Sequence, residues 1–339
     1  MQSILNNSPR LSIIIPCHNA QSTLSICLNA LFKFKNENDE VILIDDASTD
    51  ETAQIALRFN LKLIKNETKK GPSYSRNLGM TAANADLCLF IDSDIEITEF
   101  DIEKSFSFMQ KNPNSMAFTA LLSKSHPFKN FFSQYKNHYL HYTFMQVKGN
   151  AHFLYGSFCG LRKNIGVTWP NDIRYGEDTW LGNHISQKGM IISLIKEIQV
   201  IHHKHYNFIK ICKNDFTIPY AFARTFAYNL NKKIFIKDFS HTNPAQLTAI
   251  TLTALLMFSF FLNVDYLFHL LSVWLIANIK FFIYLFRNNG ILFAFKSIPF
   301  TLLDQFIMGW GIFFGLAHYS YILSSKQYTK SKEFIAKNS

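Results

Sequence analysis

The sequence is short of the residues that build disulfide or zinc scaffolds. Its five cysteines, Cys17, Cys27, Cys88, Cys159 and Cys212, are odd in number, and none stand at C-x-x-C spacing. That argues against both scaffolds and leaves the thiols as small buried hydrophobes of a reducing compartment. The opening stretch, MQSILNNSPR, lacks a basic segment followed by a long apolar one, so no signal peptide is expected and the first domain is placed in the cytosol. There is no internal repeat and no low-complexity segment. Acidic residues are outnumbered, 24 against 34 Lys and Arg, for a net charge of +10. Charge of either sign almost disappears between Ala245 and Leu323, where Phe, Leu and Ile dominate. Basic residues gather just before that change, at Lys204, Lys210, Lys213, Arg224, Lys232, Lys233 and Lys237. Basic residues beside apolar spans usually face anionic lipid head groups, each worth ~1 kcal/mol near the surface. A membrane, and no nucleic acid, is the partner that this charge balance predicts.

Before the boundary the pattern alternates. LSIIIP (Leu11–Pro16) reads as a strand, and in STLSICLNALFKF the residues Leu24, Cys27, Leu28 and Leu31 fall on one helical face. EVILIDD (Glu40–Asp46) reads as a second strand, and STDETAQIALRF as a helix with Ser48 or Thr49 as its N-cap. LKLIKN, YSRNLGMTAANA and DLCLFID follow as strand, helix and strand. Continuous apolar strands alternating with helices predict a parallel sheet covered on both faces. Further on, Ser115–Lys124 reads as a strand, Pro127–Met145 as an aromatic, basic helix, and YGEDTWLGNHISQKG as a turn into a helix. MIISLI and IQVIHH read as separate strand pieces, and Tyr206–Asn231 as amphipathic.

In such sheets ligands bind beyond the carboxyl ends of the strands. Polar clusters fall there: His18 and Asn19 after the first strand, Asp45 and Asp46 after the second, Asp92 and Asp94 after the fourth. LFIDSDIEI is the odd one, because two carboxylates one residue apart make each other harder to ionise. In an extended segment, residues two apart point to one side, so both could converge on a divalent cation. Magnesium or manganese favours such oxygen ligands, with substrate phosphates completing the shell. Asp-x-Asp alone also occurs in loops by chance.

The motifs SIIIPCHN, VILIDDASTD, GPSYSRNLG, FIDSD and YGEDTWL occur in this order. Together they resemble the inverting family 2 glycosyltransferases, over about residues 11–205. The resemblance implies the GT-A nucleotide-diphospho-sugar fold, a mostly parallel α/β sheet with helices on both faces, and Mg2+ or Mn2+ as cofactor. It implies a nucleotide-diphosphate sugar donor, UDP-linked by preference, held by Pro16, His18, Asn19, Asp46, Ser48, Arg76 and Asp92. His18 stands where the family commonly has Tyr. Asp46 matches the residue that bonds the nucleobase, Arg76 one near the nucleotide phosphates, Asp92 one near the ribose and the metal, and Asp94 the metal ligand. Glu177-Asp178 matches the Glu-Asp motif whose Asp is the general base. A sugar hydroxyl is a poor nucleophile, and a positioned carboxylate can take its proton during attack. Outside this motif order, a pair of acids at a helix N-terminus would be explained by the helix dipole alone. In VIHHKHY (Val200–Tyr206), His202 matches a family position able to complete the metal shell, and His203 and His205 are expected at the surface or an interface. The Gln-x-x-Arg-Trp motif of processive synthases is absent, so one sugar per acceptor is expected.

Ala245–Val264 carries no charge and spans the ~20 residues that a helix needs to cross a bilayer. Tyr266–Phe286 and Gln305–Leu323 read as second and third spans, with Ile291–Leu303 as an interfacial or re-entrant piece and Arg287–Lys296 as a loop. Gly311 and Gly315 have the small-xxx-small spacing that lets helices approach closely, a route to oligomers. The expected organisation is a cytosolic domain over 1–205, a juxtamembrane segment over 206–244, a membrane domain over 245–325 and a basic tail over 326–339. The expected acceptor is the hydroxyl of a lipid or lipid-linked glycan in the cell envelope, at the cytoplasmic membrane. A polyprenyl-phosphate acceptor would need no base, which Glu177-Asp178 argues against. Acids at every motif argue against a non-catalytic scaffold. PCHNAQSTL, neither Gly-rich nor basic, argues against a nucleotidyltransferase.

Overall fold

The computed structural model describes residues 8–173, 175–231, 244–259 and 264–337. The chain divides into two compact units, Met1–His205 and Tyr206–Ser339.

The first unit begins with β1 (Leu11–Cys17), α1 (Leu24–Phe34), β2 (Asp39–Asp45), α2 (Thr52–Ala56), β3 (Lys62–Lys65), α3 (Pro72–Ala82) and β4 (Leu87–Ile91). It continues with β5 (Ile95–Glu96), α4 (Asp101–Lys111), β6 (Ser115–Leu122), α5 (Phe131–Gln146), β7 (Phe158–Arg162), α6 (Glu177–Gln187) and β8 (Ile191–His202). The sheet order is β3-β2-β1-β4-β7-β6-β8-β5. β1 is buried along almost its whole length, and its residues alternate between two cores. Ile13 and Ile15 pack with Leu24, Cys27, Leu28 and Leu31 of α1. Ile14 packs with Ile42, Ile44 and Met80 on the other face. A strand covered on both sides has no polar face, which is why its sequence runs apolar without alternation.

β1 to β4 are parallel where they pair, as the sequence predicts. The second half of the sheet is mixed. β7 lies antiparallel between β4 and β6, and β5 is antiparallel to β8. MIISLI and IQVIHH form one strand, β8, which pairs with β6 across a register shift near Leu121. α2 is a short helix that starts at Thr52, so neither Ser48 nor Thr49 caps it. Asp50 takes the Thr52 backbone N–H instead, at 3.0 Å, and the Ser48 hydroxyl is engaged elsewhere. Cys17, Cys27, Cys88 and Cys159 are buried free thiols, and Cys212 is half-buried.

The second unit contains α7 (Phe208–Asn231), α8 (Pro244–Ser259), α9 (Val264–Asn289) and α10 (Ile291–Lys337). Leu267–Asn289 and Ile291–Leu323 are long and apolar enough to cross a membrane. The expected first span is shorter as described. The apolar part of α8 is Ala245–Leu256, and residues 260–263 of that expected span lie outside the described residues, as do 232–243 of the juxtamembrane segment. The expected interfacial piece and third span are one helix of 47 residues, continuous through Pro299. Arg287–Lys296 is no loop. Gly290, at φ +81°, ends α9 in the left-handed conformation that suits glycine, and α10 starts at the next residue. Gly311 and Gly315 lie against α7: a Cβ on either would collide with the backbone carbonyl of Phe216 or Tyr220. An uncharged network joins α8, α9 and α10. The Gln305 amide oxygen accepts from Trp274 Nε1 (2.7 Å) and Thr253 Oγ1 (3.1 Å), and its nitrogen donates to Asn278 Oδ1 (2.7 Å).

Candidate active site

β1 has β2 and β3 on one side and β4 on the other, so the carboxyl ends of β1 and β4 flank the point where strand order reverses, the usual crevice for a ligand in such sheets. The loops leaving β1 and β2 are laced together there. Asn19 and Ala47 hold left-handed backbones, φ +51° and +58°, that non-glycine residues seldom adopt. The Asn19 N–H donates to the Ser48 hydroxyl (2.9 Å), and the Thr49 N–H donates to Asn19 Oδ1 (2.8 Å). His18 Nδ1 donates to the Asp46 carbonyl at 2.8 Å. The Asp46 carboxylate is buried and accepts from Asn66 Nδ2 and from the backbone N–H groups of Lys70 and Gly71, at 2.7, 2.8 and 2.7 Å. It therefore fastens the segment leading into α3. Pro16 is half-buried at the end of β1, beside these loops.

Asp92 and Asp94 do not lie on an extended strand. The Ile95 N–H donates to the Asp92 carbonyl at 3.0 Å, so residues 92–95 form a turn, and the same-side rule for alternate residues does not apply. The two carboxylates go to different partners. Asp92 Oδ1 accepts from Arg76 Nη2 at 2.8 Å, whereas Asp94 Oδ2 accepts from His202 Nε2 at 3.1 Å. β5 dictates the second pairing: Ile95 stands opposite His202 in the antiparallel register, and the His203 N–H donates to the Asp94 carbonyl. His203 is half-buried, with its ring against the Glu96 carboxylate at 2.6 Å. His205 is exposed and meets the Phe128 ring edge-on.

Arg76 is the hub. Its side chain is 3% exposed, and its guanidinium donates to Asp92, to Glu177 Oε1 (3.0 Å) and to the Gly156 carbonyl (3.3 Å). A buried cation is costly unless it is paired in this way. Gly156 carries the connection onward, since its N–H donates to Asp178 Oδ2 at 3.0 Å. A Cβ at Gly156 would stand 3.1 Å from Arg76 Nη2 and 3.4 Å from Asp178 Cβ, so a side chain there would have to displace the Arg76 guanidinium slightly. Glu177 and Asp178 open α6, after the left-handed Gly176. Asp178 Oδ1 also accepts from the Thr179 N–H at 2.7 Å. The structure thus joins Arg76, Asp92, Glu177 and Asp178, which are far apart in the chain. It does not place Asp46 or His18 in the hydrogen bonds of that group.

Burial, then the like charge of Glu177, pushes the Asp178 carboxyl up to about 7, against its two backbone hydrogen bonds and Arg76. For Asp94, burial acts upward, but His202 prevails and holds the carboxyl below its ordinary range. Burial works against the Arg76 cation, but the charges of Asp92 and Glu177 outweigh it and raise its pKa.

Among the described residues no group of three or more His, Cys, Asp and Glu side chains is arranged to hold a metal. Asp94 and His202 offer one oxygen and one nitrogen, a partial set that fits a cation whose other ligands come from a substrate. His202 suits the task. Its Nδ1 meets the Tyr155 hydroxyl at 3.3 Å, and a hydroxyl can accept from a protonated Nδ1, the tautomer that would leave Nε2 free to bind a cation. Gly156, Tyr155, Asn77 and Trp169 were not singled out in the sequence. FLYGSFCG shows a broken apolar run, and nothing local marks the residues that meet Arg76 or His202.

Residues 12–166 match the family described as Glycosyl transferase family 2. An uncharacterized glycosyltransferase of Haemophilus influenzae is 36% identical over 111 residues, 31% of this chain and 44% of that protein. A UDP-Glc:alpha-D-GlcNAc-diphosphoundecaprenol beta-1,3-glucosyltransferase of Escherichia coli is 34% identical over 105 residues, 30% of this chain and 42% of its own length. The matches thus span less than half of these relatives. A mannosyltransferase of Pyrobaculum calidifontis, solved with GDP-Man and Mn2+, superposes with a TM-score of 0.57 at 13% identity, covering 93% of this chain and 88% of that one. The fold is that of the GT-A glycosyltransferases, and residues 12–166 are similar to the glycosyl transferase family 2 domain.

Proposed function

We propose that this family 2 domain works as a metal-dependent, inverting glycosyltransferase. It moves one sugar from a nucleotide-diphosphate donor, UDP-linked, to a hydroxyl of a lipid or lipid-linked acceptor, and α9 and α10 hold the protein in the cytoplasmic membrane with the first unit in the cytosol. The observation that carries the reading is the linked set Asp92–Arg76–Gly156–Asp178, which ties the candidate donor residues to the candidate base.

The chain's own groups divide the work. The loops after β1 and β2, with His18, Asn19, Asp46 and Ser48, shape the nucleoside end. Asp92, fixed by Arg76, lies towards the ribose. Asp94 and His202 would hold a Mg2+ or Mn2+ ion, which supplies positive charge against the departing diphosphate. Asp178 takes the proton of the acceptor hydroxyl as that oxygen attacks the anomeric carbon from the face opposite the leaving group, so one displacement inverts the centre. A carboxyl at about 7 is well matched to that step, and Glu177 and burial keep it there. The base must be ionised, so transfer should fall as pH drops below about 7 and level off above it.

The similarity to a glucosyltransferase whose name specifies a diphosphoundecaprenol-linked acceptor supports a lipid-linked acceptor here. Purified full-length protein in detergent, with Mn2+, membrane lipid extract and a panel of nucleotide sugars, should release nucleoside diphosphate from one UDP-sugar. No release from any donor would reject the reading.

A further inference from the structure

We propose that Trp169 is the positioning residue of Arg76, and that Asn77 locks it in place. A guanidinium makes its hydrogen bonds in its own plane, and the two Arg76 Nη groups direct theirs to Asp92, Glu177 and the Gly156 carbonyl. Its flat face must then be covered without competing for those donors. The Trp169 ring does this, with the guanidinium carbon 4.5 Å from the ring centre. Trp169 is 1% exposed and set edge-on against Phe90 of β4, at 5.3 Å between centroids, so the platform itself cannot turn away. The residue after Arg76 completes the device. Asn77 Oδ1 accepts from the Trp169 N–H (2.9 Å) and Asn77 Nδ2 donates to the Trp169 carbonyl (2.8 Å).

Adjacent residues of α3 thus hold one tryptophan by its ring and by its backbone. This distinguishes Trp169 from an ordinary core aromatic, which would need neither the stacked cation nor the backbone clamp. Trp169 lies on the connection from β7 to α6, the segment that delivers Glu177 and Asp178. The clamp therefore fixes both the guanidinium and the segment bearing its partner Glu177. The inference rests on the proposed site but not on its turnover, because Arg76 must be held whatever the substrate.

The first test needs no substrate. Full-length protein in detergent is treated with phenylglyoxal, and Arg76 and the exposed Arg58 are followed by peptide mass mapping. Arg76 should be protected in the wild type. Trp169→Leu should make it react roughly tenfold faster or more with Arg58 unchanged, and Trp169→Phe, which keeps an aromatic face, should restore most of the protection. Unchanged Arg76 reactivity in Trp169→Leu, or equal reactivity in the Leu and Phe variants, would overturn the proposal. The second test uses UDP-glucose and Mn2+ with lipid extract. Trp169→Leu should lower kcat about tenfold in the wild type but less than twofold in an Arg76→Lys background, where the planar group is already gone. Full additivity of the two losses would overturn the proposal. Should Trp169→Leu fail to fold, Asn77→Ala frees the backbone clamp and runs both tests with the same expected outcomes. If wild-type protein does not turn over UDP-glucose, the phenylglyoxal result alone decides, so failure of the glycosyltransferase reading stays separate.

Discussion

The two units solve the same problem, how to keep polar groups inside an apolar interior, in different ways. In Met1–His205 the central buried network is ionic: Arg76 balances Asp92 and Glu177, and two further acids, Asp94 and Asp178, stand partly buried near strand and helix ends. Tyr206–Ser339 also buries two acids, Asp215 and Asp304, but its network joining α8, α9 and α10 is neutral, made from amides, an indole and a hydroxyl around Gln305. Charges kept at high desolvation cost have a use where a charged ligand can share them. Neutral groups that satisfy one another tie helices together with no such demand. The contrast is between an ionic network at strand and helix ends and a neutral one between helices.

The comparison can be broken at several points. The largest effect should come from removing the cation: excess EDTA, or Asp94→Asn, should abolish sugar transfer, and full turnover in EDTA would show that the ionic unit needs no metal. Next is Gly156→Ala, whose Cβ would press on the Arg76 guanidinium and sit against Asp178. Misplacement on this scale should lower kcat by about tenfold to a hundredfold, and activity within twofold of wild type would deny that this peptide links the two acids. In the second unit, Gly311→Leu should push α7 off α10 and cost about 1–3 kcal/mol. A melting temperature unchanged in detergent would remove the close packing. The smallest effect is expected for Gln305→Leu, which leaves Trp274 and Asn278 without their partner and should cost roughly 1–2 kcal/mol, since interhelical hydrogen bonds within membranes are individually weak. A stabilised protein would show the network to be incidental.

The parallel strands and the acids at their ends were legible in the sequence because a strand buried on both faces leaves a continuous apolar run, and its polar residues then mark the end. β7 was not legible, since a Gly-broken segment does not announce an antiparallel strand inserted between β4 and β6. The residue types of the site could be read, but their pairing could not. Arg76 meets Glu177 across 101 residues, and the turn at 92–95 sends Asp92 and Asp94 to separate partners. The interfacial piece and the third span read as separate in the sequence, although a proline inside a helix only removes a donor and crowds the preceding turn. The structure runs α10 continuously through Pro299, and the loss of one backbone bond is small against 47 residues of helix.

The central claim is that Asp178 is the base of a sugar transfer to a hydroxyl, and Asp178→Asn tests it most directly. Binding of the UDP-sugar is measured by calorimetry beside single-turnover transfer, for wild type and variant in the same detergent with Mn2+. The account predicts donor binding within about twofold of wild type and transfer lowered by about 10²–10⁴-fold, the usual contribution of a general base. Near-normal transfer would contradict it and point to an acceptor already ionised, such as a lipid phosphate.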